Sequence, residues 1–333
     1  MLAVTLSNTS FRRSLLLLPV LLAAQCRAVD WLGSANSAFS VAANWGNGGP
    51  IPGAQNAQVT DLKIINESLS PMCYTAAEGE TVIGSPGAIS GQFIVGHDDR
   101  SGRLEISGGS LRIYSYWSPI LAQNGYNTTG TIHVSGGVLR ISNTSRTKPD
   151  QRVFLVGNTA PKPTDLRSNG AIFITGGTLI IDCEGIPETR IGDRALITGG
   201  LNIGRSNGSG LIYLTGGELR VTSTEGTSFV SDNGKASGIL SFGLGNGVFK
   251  QTASQRITFG NDPDSDAYIT FQPGSRGAIS LAGATPATFN ELIAQGRIRV
   301  DGCIADPDRF RFTQEESQGV LRLASAHTGA GGR

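Results

Sequence analysis

Through most of the chain, apolar and polar residues alternate with a period of two, in short runs broken by glycine. Four segments repeat one another: RLEISGGSLRI (Arg103–Ile113), TIHVSGGVLRI (Thr131–Ile141), AIFITGGTLII (Ala171–Ile181) and LIYLTGGELRV (Leu211–Val221). In each, an apolar pair such as Leu104/Ile106 precedes a Ser/Thr-Gly-Gly turn and a second pair such as Leu111/Ile113 follows it. Period two marks a strand with one buried face. The pairs Gly108–Gly109, Gly136–Gly137, Gly176–Gly177 and Gly216–Gly217 turn the chain without a long loop, because glycine accepts φ > 0. A third short strand ending in glycine precedes most copies: QFIVG (Gln92–Gly96), VFLVG (Val153–Gly157) and LNIG (Leu201–Gly204), with ILAQNG (Ile120–Gly125) in the matching place of the second copy.

A two-stranded ribbon standing alone has no core. Stacked repeats place Ile on Ile and Leu on Leu along one continuous interior. The pattern therefore predicts an all-β chain folded as a single-stranded parallel β-helix, a solenoid with three strands per rung. Copies are unevenly spaced, so rungs carry insertions, which cost little once the loop ends are fixed. Towards the C-terminus the Gly-Gly mark fades, although GILSFGLGNGVFK (Gly238–Lys250), RITFG (Arg256–Gly260) and AYITF (Ala267–Phe271) still read as strands.

Open solenoid ends expose strand edges and need caps. The aromatic, Gly/Asn-rich stretch Trp31–Pro52 is a candidate N-terminal cap. TFNELIAQG (Thr288–Gly296) is the clearest helix, with Thr288 as its cap and Gly296 as its end. Closing strands are expected near Arg297–Val300 and Val320–Leu323. The expected organisation is a signal peptide over 1–28, an N-terminal cap and first strands over 29–80, β-helix repeats over 81–283, a helix and closing strands over 284–325, and a disordered tail over 326–333.

Composition narrows the class. Charged residues make up 16% of the 333-residue chain, which argues for a folded rather than a charge-rich disordered protein. Glycine, at 46 residues, has no Gly-X-Y period, which excludes collagen. Arg12 and Arg13 followed by the apolar run Ser14–Ala24, with Cys26-Arg27-Ala28 before the cut, read as a secretory signal too short to span a membrane. No later segment is a transmembrane candidate. Without Arg12, Arg13 and Arg27, 24 of the 27 basic residues face 26 acidic ones, so bulk nucleic-acid binding is not expected. Cys73, Cys183 and Cys303 are too far apart for a disulfide framework or zinc motif; at most one pair can form, and buried thiols are the preferred reading.

Candidate chemistry is sparse. Arg112, Arg140 and Arg220 share one place in the repeat, which Ile180 takes in the third copy. In-register stacking would line them along one outer face, able to grip carboxylates or sulfates of an extracellular acidic polysaccharide. The competing reading is a solubilising face paired with Asp or Glu. Tyr114, Tyr116 and Trp117 could form a sugar-stacking platform or pack under a loop. Polar loops after the Gly-ended strands should share one edge, where solenoids commonly bind. His97, Asp98, Asp99 and Arg100 place acid, base and cation together, yet the equivalent places Asn124, Asn158 and Arg205 supply no second carboxylate. Asp262, Asp264 and Asp266 alternate as Ca²⁺ ligands do, without the EF-hand glycine or terminal glutamate; an acidic turn is the preferred reading. No other cofactor is expected.

The opening WLGSANSAFSVAANWGNGGPIPG, the unit IVG…SGRLEISGGSLRI and the closing FNELIAQGRIRV resemble large secreted bacterial Gly-rich β-helix surface proteins of the planctomycete and verrucomicrobia type. Those proteins often carry a PEP-CTERM tail or autotransporter-associated strand repeats, and their fold is pectin-lyase-like. The resemblance implies a right-handed β-helix and a secreted location, and carries over no catalytic residue. The closing SAHTGAGGR departs from it, with neither an apolar sorting helix nor a barrel. The leading functional expectation is a non-catalytic structural or adhesive protein of the cell surface or matrix. A carbohydrate-binding protein for acidic polysaccharides and a polysaccharide lyase or hydrolase are the alternatives. Export from a bacterial host is expected to yield a mature chain beginning at Val29, which intact mass will read directly.

Overall fold

The computed structural model describes residues 29–31, 61–65, 72–74, 80–83, 91–123, 125, 127–143, 153–158, 168–183, 189–191, 194–196, 200–231, 236–260 and 265–324. The expected signal peptide, most of the expected N-terminal cap, and the tail lie outside these residues. The chain is a parallel β-helix, with three parallel-dominated sheets stacked as three faces. The first face runs Val29–Trp31, Asp61–Ile64, Gln92–His97, Ile120–Gln123, Phe154–Asn158, Leu201–Arg205, Thr227–Ser231 and Ile257–Phe259. The second takes Met72–Tyr74, Gly102–Ile106, Thr129–Val134, Asn169–Ile174, Ser209–Leu214, Ser237–Phe242 and Asp266–Phe271. The third takes Glu80–Ile83, Ser110–Ser115, Val138–Asn143, Thr178–Asp182, Glu218–Val221, Val248–Gln251 and Ala278–Ala282.

Each rung thus contributes one strand to each face, and the strands predicted after the Gly-Gly mark fades continue the same stack. Register is strict: Ile132 pairs with Leu104 and Ile172, and Leu139 with Leu111 and Leu179. The alternating apolar residues all point inward and are buried, from Leu104 and Ile106 through Ile212, Leu214, Leu219 and Val221. One core runs the length of the stack. Stacked rings extend it where the aliphatic repeat ends: Phe242 lies on Phe271 at 4.5 Å and Phe229 on Phe259 at 4.9 Å.

The corners explain the glycines. At the second-to-third-face turn, Gly109, Gly137, Gly177 and Gly217 have φ between 63° and 67°. The preceding Gly136 has no room either, since a Cβ there would sit 2.5 Å from the carbonyl oxygen of Ser107 one rung below. A second glycine column, at Gly102, Gly130, Gly170, Gly210 and Gly238, escapes the repeat reading. A Cβ on Gly130 would collide with the carbonyl oxygen of Val95, and one on Gly238 with that of Ile203. At the end of the first-face strand, Gly96, Gly157 and Gly204 have φ of 78°, 74° and 77°. Register puts Ala122, not Gly125, in this place in the next rung, at φ 60°, and Val230 in a later one, at φ 53°. The interior demands the conformation strongly enough that residues with a Cβ adopt it.

Beyond the last rung, the predicted helix forms over Pro286–Ala294. Its cap is Thr285 rather than Thr288: the Thr285 side chain accepts from the Thr288 backbone N–H, and the Thr288 hydroxyl accepts from the Thr285 N–H. The helix starts earlier because Pro286 suits its first turn. Gly296 follows its end at φ 67°. Phe289, Leu292 and Ile293 are buried under it. Two antiparallel strands, Phe310–Glu315 and Gln318–Leu323, close the third face. Among the described residues no helix is long and apolar enough to cross a membrane.

The corner geometry makes a paired expectation. Gly157→Ala places a Cβ against the Ser209 backbone and is expected to cost about 1–3 kcal/mol. Ala122→Gly should be close to neutral, because relief of about 1 kcal/mol of left-handed strain offsets loss of one buried methyl. Thermal unfolding of the two variants beside the parent will measure both.

Candidate functional site

The three faces differ in what they show to solvent. On the first, the outward residues Ile94, Ile120 and Leu155 are at most 3% exposed, and Ile120, Val153 and Leu155 form a small apolar cluster of their own. In these three rungs the face is buried on both sides, as parallel strands with continuous apolar runs usually are, while Lys63, Asn202, Ser228 and Thr258 hold the same outward place in other rungs.

On the third face the arginines stack as expected. Register pairs Arg112 with Arg140, Arg140 with Ile180 and Ile180 with Arg220. Lys250 pairs with Arg220 and extends the column by one rung, a member the repeat reading missed because the Gly-Gly mark is gone there. Alternation turns all of these outward, since their neighbours Leu111, Leu139, Leu219 and Phe249 are buried inside. Carboxylates accompany the column. Glu218 pairs with Arg220 at 2.5 Å, on the same strand two residues earlier. Asp182, on the rung where Ile180 interrupts the cations, lies 3.8 Å from Arg112 and 3.4 Å from Arg140. Its oxygens accept from the Ser142 hydroxyl at 3.3 Å and the Thr222 hydroxyl at 3.0 Å. At the far end, the Glu315 carboxyl is held below its usual range chiefly by a hydrogen bond from Arg322, with Lys250 adding to the effect.

The aromatic candidates separate. Tyr114 stands on the third face, its ring 4.5 Å from the Arg112 guanidinium carbon. Tyr116 and Trp117 form an edge-to-face pair at the next corner. Their backbone N–H groups both donate to Gly91, and the Trp117 carbonyl accepts from Ser115 and Asn143. Corner closure accounts for their backbone.

His97–Arg100 is a tight reversal between the first and second faces. His97 and Arg100 exchange both backbone hydrogen bonds, and Asp98 and Asp99 have φ of 47° and 64°. That is the conformation a two-residue type I′ turn needs and Asp tolerates. The Asp98 carboxylate meets His97 Nδ1 at 2.9 Å, and the Asp99 N–H donates to Thr128. The place opposite His97 is held by Gln123 rather than Asn124, followed by Asn158 and Arg205. The cluster is a turn with its acidic side chains outward. Asp266 is exposed at a strand start, while Asp262 and Asp264 lie outside the described residues. Among the described residues no three His, Cys, Asp or Glu side chains are placed to share a metal ion.

The second face carries a feature absent from the sequence reading. Register aligns Ala171, Leu211, Ile239 and Tyr268 in one outward column, and Phe173 and Tyr213 in the next. They are half-buried, and Phe173 meets Tyr213 edge to face at 6.4 Å. The run AIFI…LIYL…ILSF, apolar at outward as well as inward positions, was the available signal.

Cys73, Cys183 and Cys303 carry thiols, but only Cys183 is buried; Cys73 is half-buried and Cys303 is exposed in a closing strand. The expectation of buried thiols is corrected for those two, since Cys73 lies on an outward position beside Glu105 and Cys303 on the terminal edge of the second face. Burial pushes the Cys183 thiol far above its usual range, and Asp182 adds to the shift. The folded chain holds that proton where the unfolded chain, with an ordinary value of 9.0, gives it up. The contribution is therefore intact below pH 9.0 and falls as pH rises above it. Thiol labelling of the native protein is expected to modify Cys303 rapidly and to reach Cys183 only on unfolding. Comparison with protein-family models, curated proteins and solved structures gives no match for this chain.

Proposed function

We propose that this protein is a secreted, non-catalytic β-helix that serves as a structural or adhesive element of a cell surface or extracellular matrix, holding acidic polysaccharide along its third face. The observation that carries the reading is the in-register cationic column Arg112, Arg140, Arg220 and Lys250 on a rigid sheet. Rungs rise by about 4.8 Å, so Arg112 and Arg140, and again Arg220 and Lys250, stand one rung apart with Ile180 as the uncharged step between the pairs, a spacing suited to a polymer with repeated negative charge. Guanidinium groups take carboxylates and sulfates in a forked, two-bond geometry. The basic and apolar N-terminal segment supports export.

The test is a glycan array with the full-length chain, run beside assays for new reducing ends and for unsaturated products on the same sugars. Binding to acidic glycans, weakened as salt rises and lost in the Arg112→Ala, Arg140→Ala, Arg220→Ala triple variant, is the expected result. Product formation would replace the reading with an enzymatic one.

A further inference from the structure

The third face does not treat its arginines alike. Arg220 has a private carboxylate, Glu218, in close contact. Arg112 and Arg140 share one, Asp182, whose Oδ2 lies 3.8 Å from Arg112 Nη2 and 3.4 Å from Arg140 Nε. Those separations are longer than the roughly 2.7–2.9 Å of a charge-assisted hydrogen bond. Arg140 Nε is the atom that faces Asp182, without hydrogen-bond geometry, and the buried Arg112 Nε likewise makes no hydrogen bond among the described residues. Asp182 is meanwhile engaged by Ser142 and Thr222. Two guanidiniums and one carboxylate leave the cluster with a net positive charge and unused donors, which is the condition that favours a further anion. The Tyr114 ring flanks Arg112, and Ile180 leaves an uncharged step beside Arg140 on the next rung.

Resting on the reading of this face as the adhesive surface, we infer that a carboxylate of a polyuronate binds at the Arg112–Arg140 pair, and that Asp182 is the internal counter-ion it must outcompete. A carboxylate is the group the pair already attracts, and an external one approaching from solvent can meet both forks without being tied to the backbone of the next rung. The inference predicts a gain of affinity on removing a negative charge that is specific in place. Asp182→Asn should strengthen binding, while Glu218→Gln, which releases only the single Arg220, should do less.

The experiment titrates the full-length protein and its variants with polygalacturonate, dextran sulfate and neutral dextran, with circular dichroism and thermal midpoint confirming each fold. Asp182→Asn, or Asp182→Ser should the first fold poorly, is expected to tighten polygalacturonate binding about threefold. Arg112→Lys with Arg140→Lys keeps the charge and loses the fork, and is expected to weaken it about tenfold. Tighter binding of dextran sulfate with the same variant pattern would overturn the assignment to a uronate. Weaker binding by Asp182→Asn would overturn the counter-ion role and make Asp182 a positioning residue. If the parent binds polygalacturonate and loses it on Arg220→Ala, yet the Asp182 and double-lysine variants match the parent, the inference fails and the adhesive reading stands. If neither the parent nor Asp182→Asn binds an acidic glycan, both fail.

Discussion

Everything in this molecule depends on the close, in-register approach of one rung to the next. Parallel backbone ladders hold successive strands at a fixed spacing, and at the Gly-Gly corners that spacing leaves no room for a side chain. Gly137 faces the backbone of Gly108 and Gly109, and Gly177 faces that of Gly136 and Gly137. Each glycine therefore serves two purposes: it takes the left-handed turn, and it lets the next rung settle on top. At the end of the first-face strand, where Ala122 and Val230 stand in the place of Gly96, Gly157 and Gly204, the left-handed conformation persists, as expected if the ladder and the core dictate it.

The same constraint arranges the surface. With register locked, one outward place in the repeat becomes one line along the solenoid. On the first face that line is apolar and buried at Ile94, Ile120 and Leu155, on the second it becomes a half-buried aromatic and aliphatic patch from Ala171 to Tyr268, and on the third it is cationic at Arg112, Arg140, Arg220 and Lys250. The charges on the third face are not simply summed. Glu218 neutralises Arg220 locally, whereas Asp182 is divided between two arginines. These groups are partly exposed and screened by solvent, so the ion pairs matter little for stability and more for what the face can attract.

Some of this was readable in the residues. Period-two alternation on either side of each Ser/Thr-Gly-Gly turn is enough to define two strands and a corner, and repetition is enough to demand stacking. The alignment of Arg112, Arg140 and Arg220 followed from counting, because a residue's place in a rung decides its face. Lys250 and the later rungs were harder, since GLGNG and QPGSRG turn the same corner with different residues. The helix was visible as a segment, but its cap moved from Thr288 to Thr285, as both residues satisfy the same local rule and only the backbone chooses.

What the sequence determined by itself was the rung: three short strands, inward apolar residues, glycine at the turns, and a helix near the end. These are local properties, set by side-chain period and by the φ values glycine permits. Only the tertiary structure decided the rest. Asp182 comes within ion-pair distance of both Arg112 and Arg140 although 70 and 42 positions in the sequence numbering separate the partners. The acidic cluster at His97–Arg100 became a type I′ turn, and Tyr116 with Trp117 became a corner. Such outcomes depend on which rung lies above which and on what shares one carboxylate, and no period along the chain encodes a distance across it.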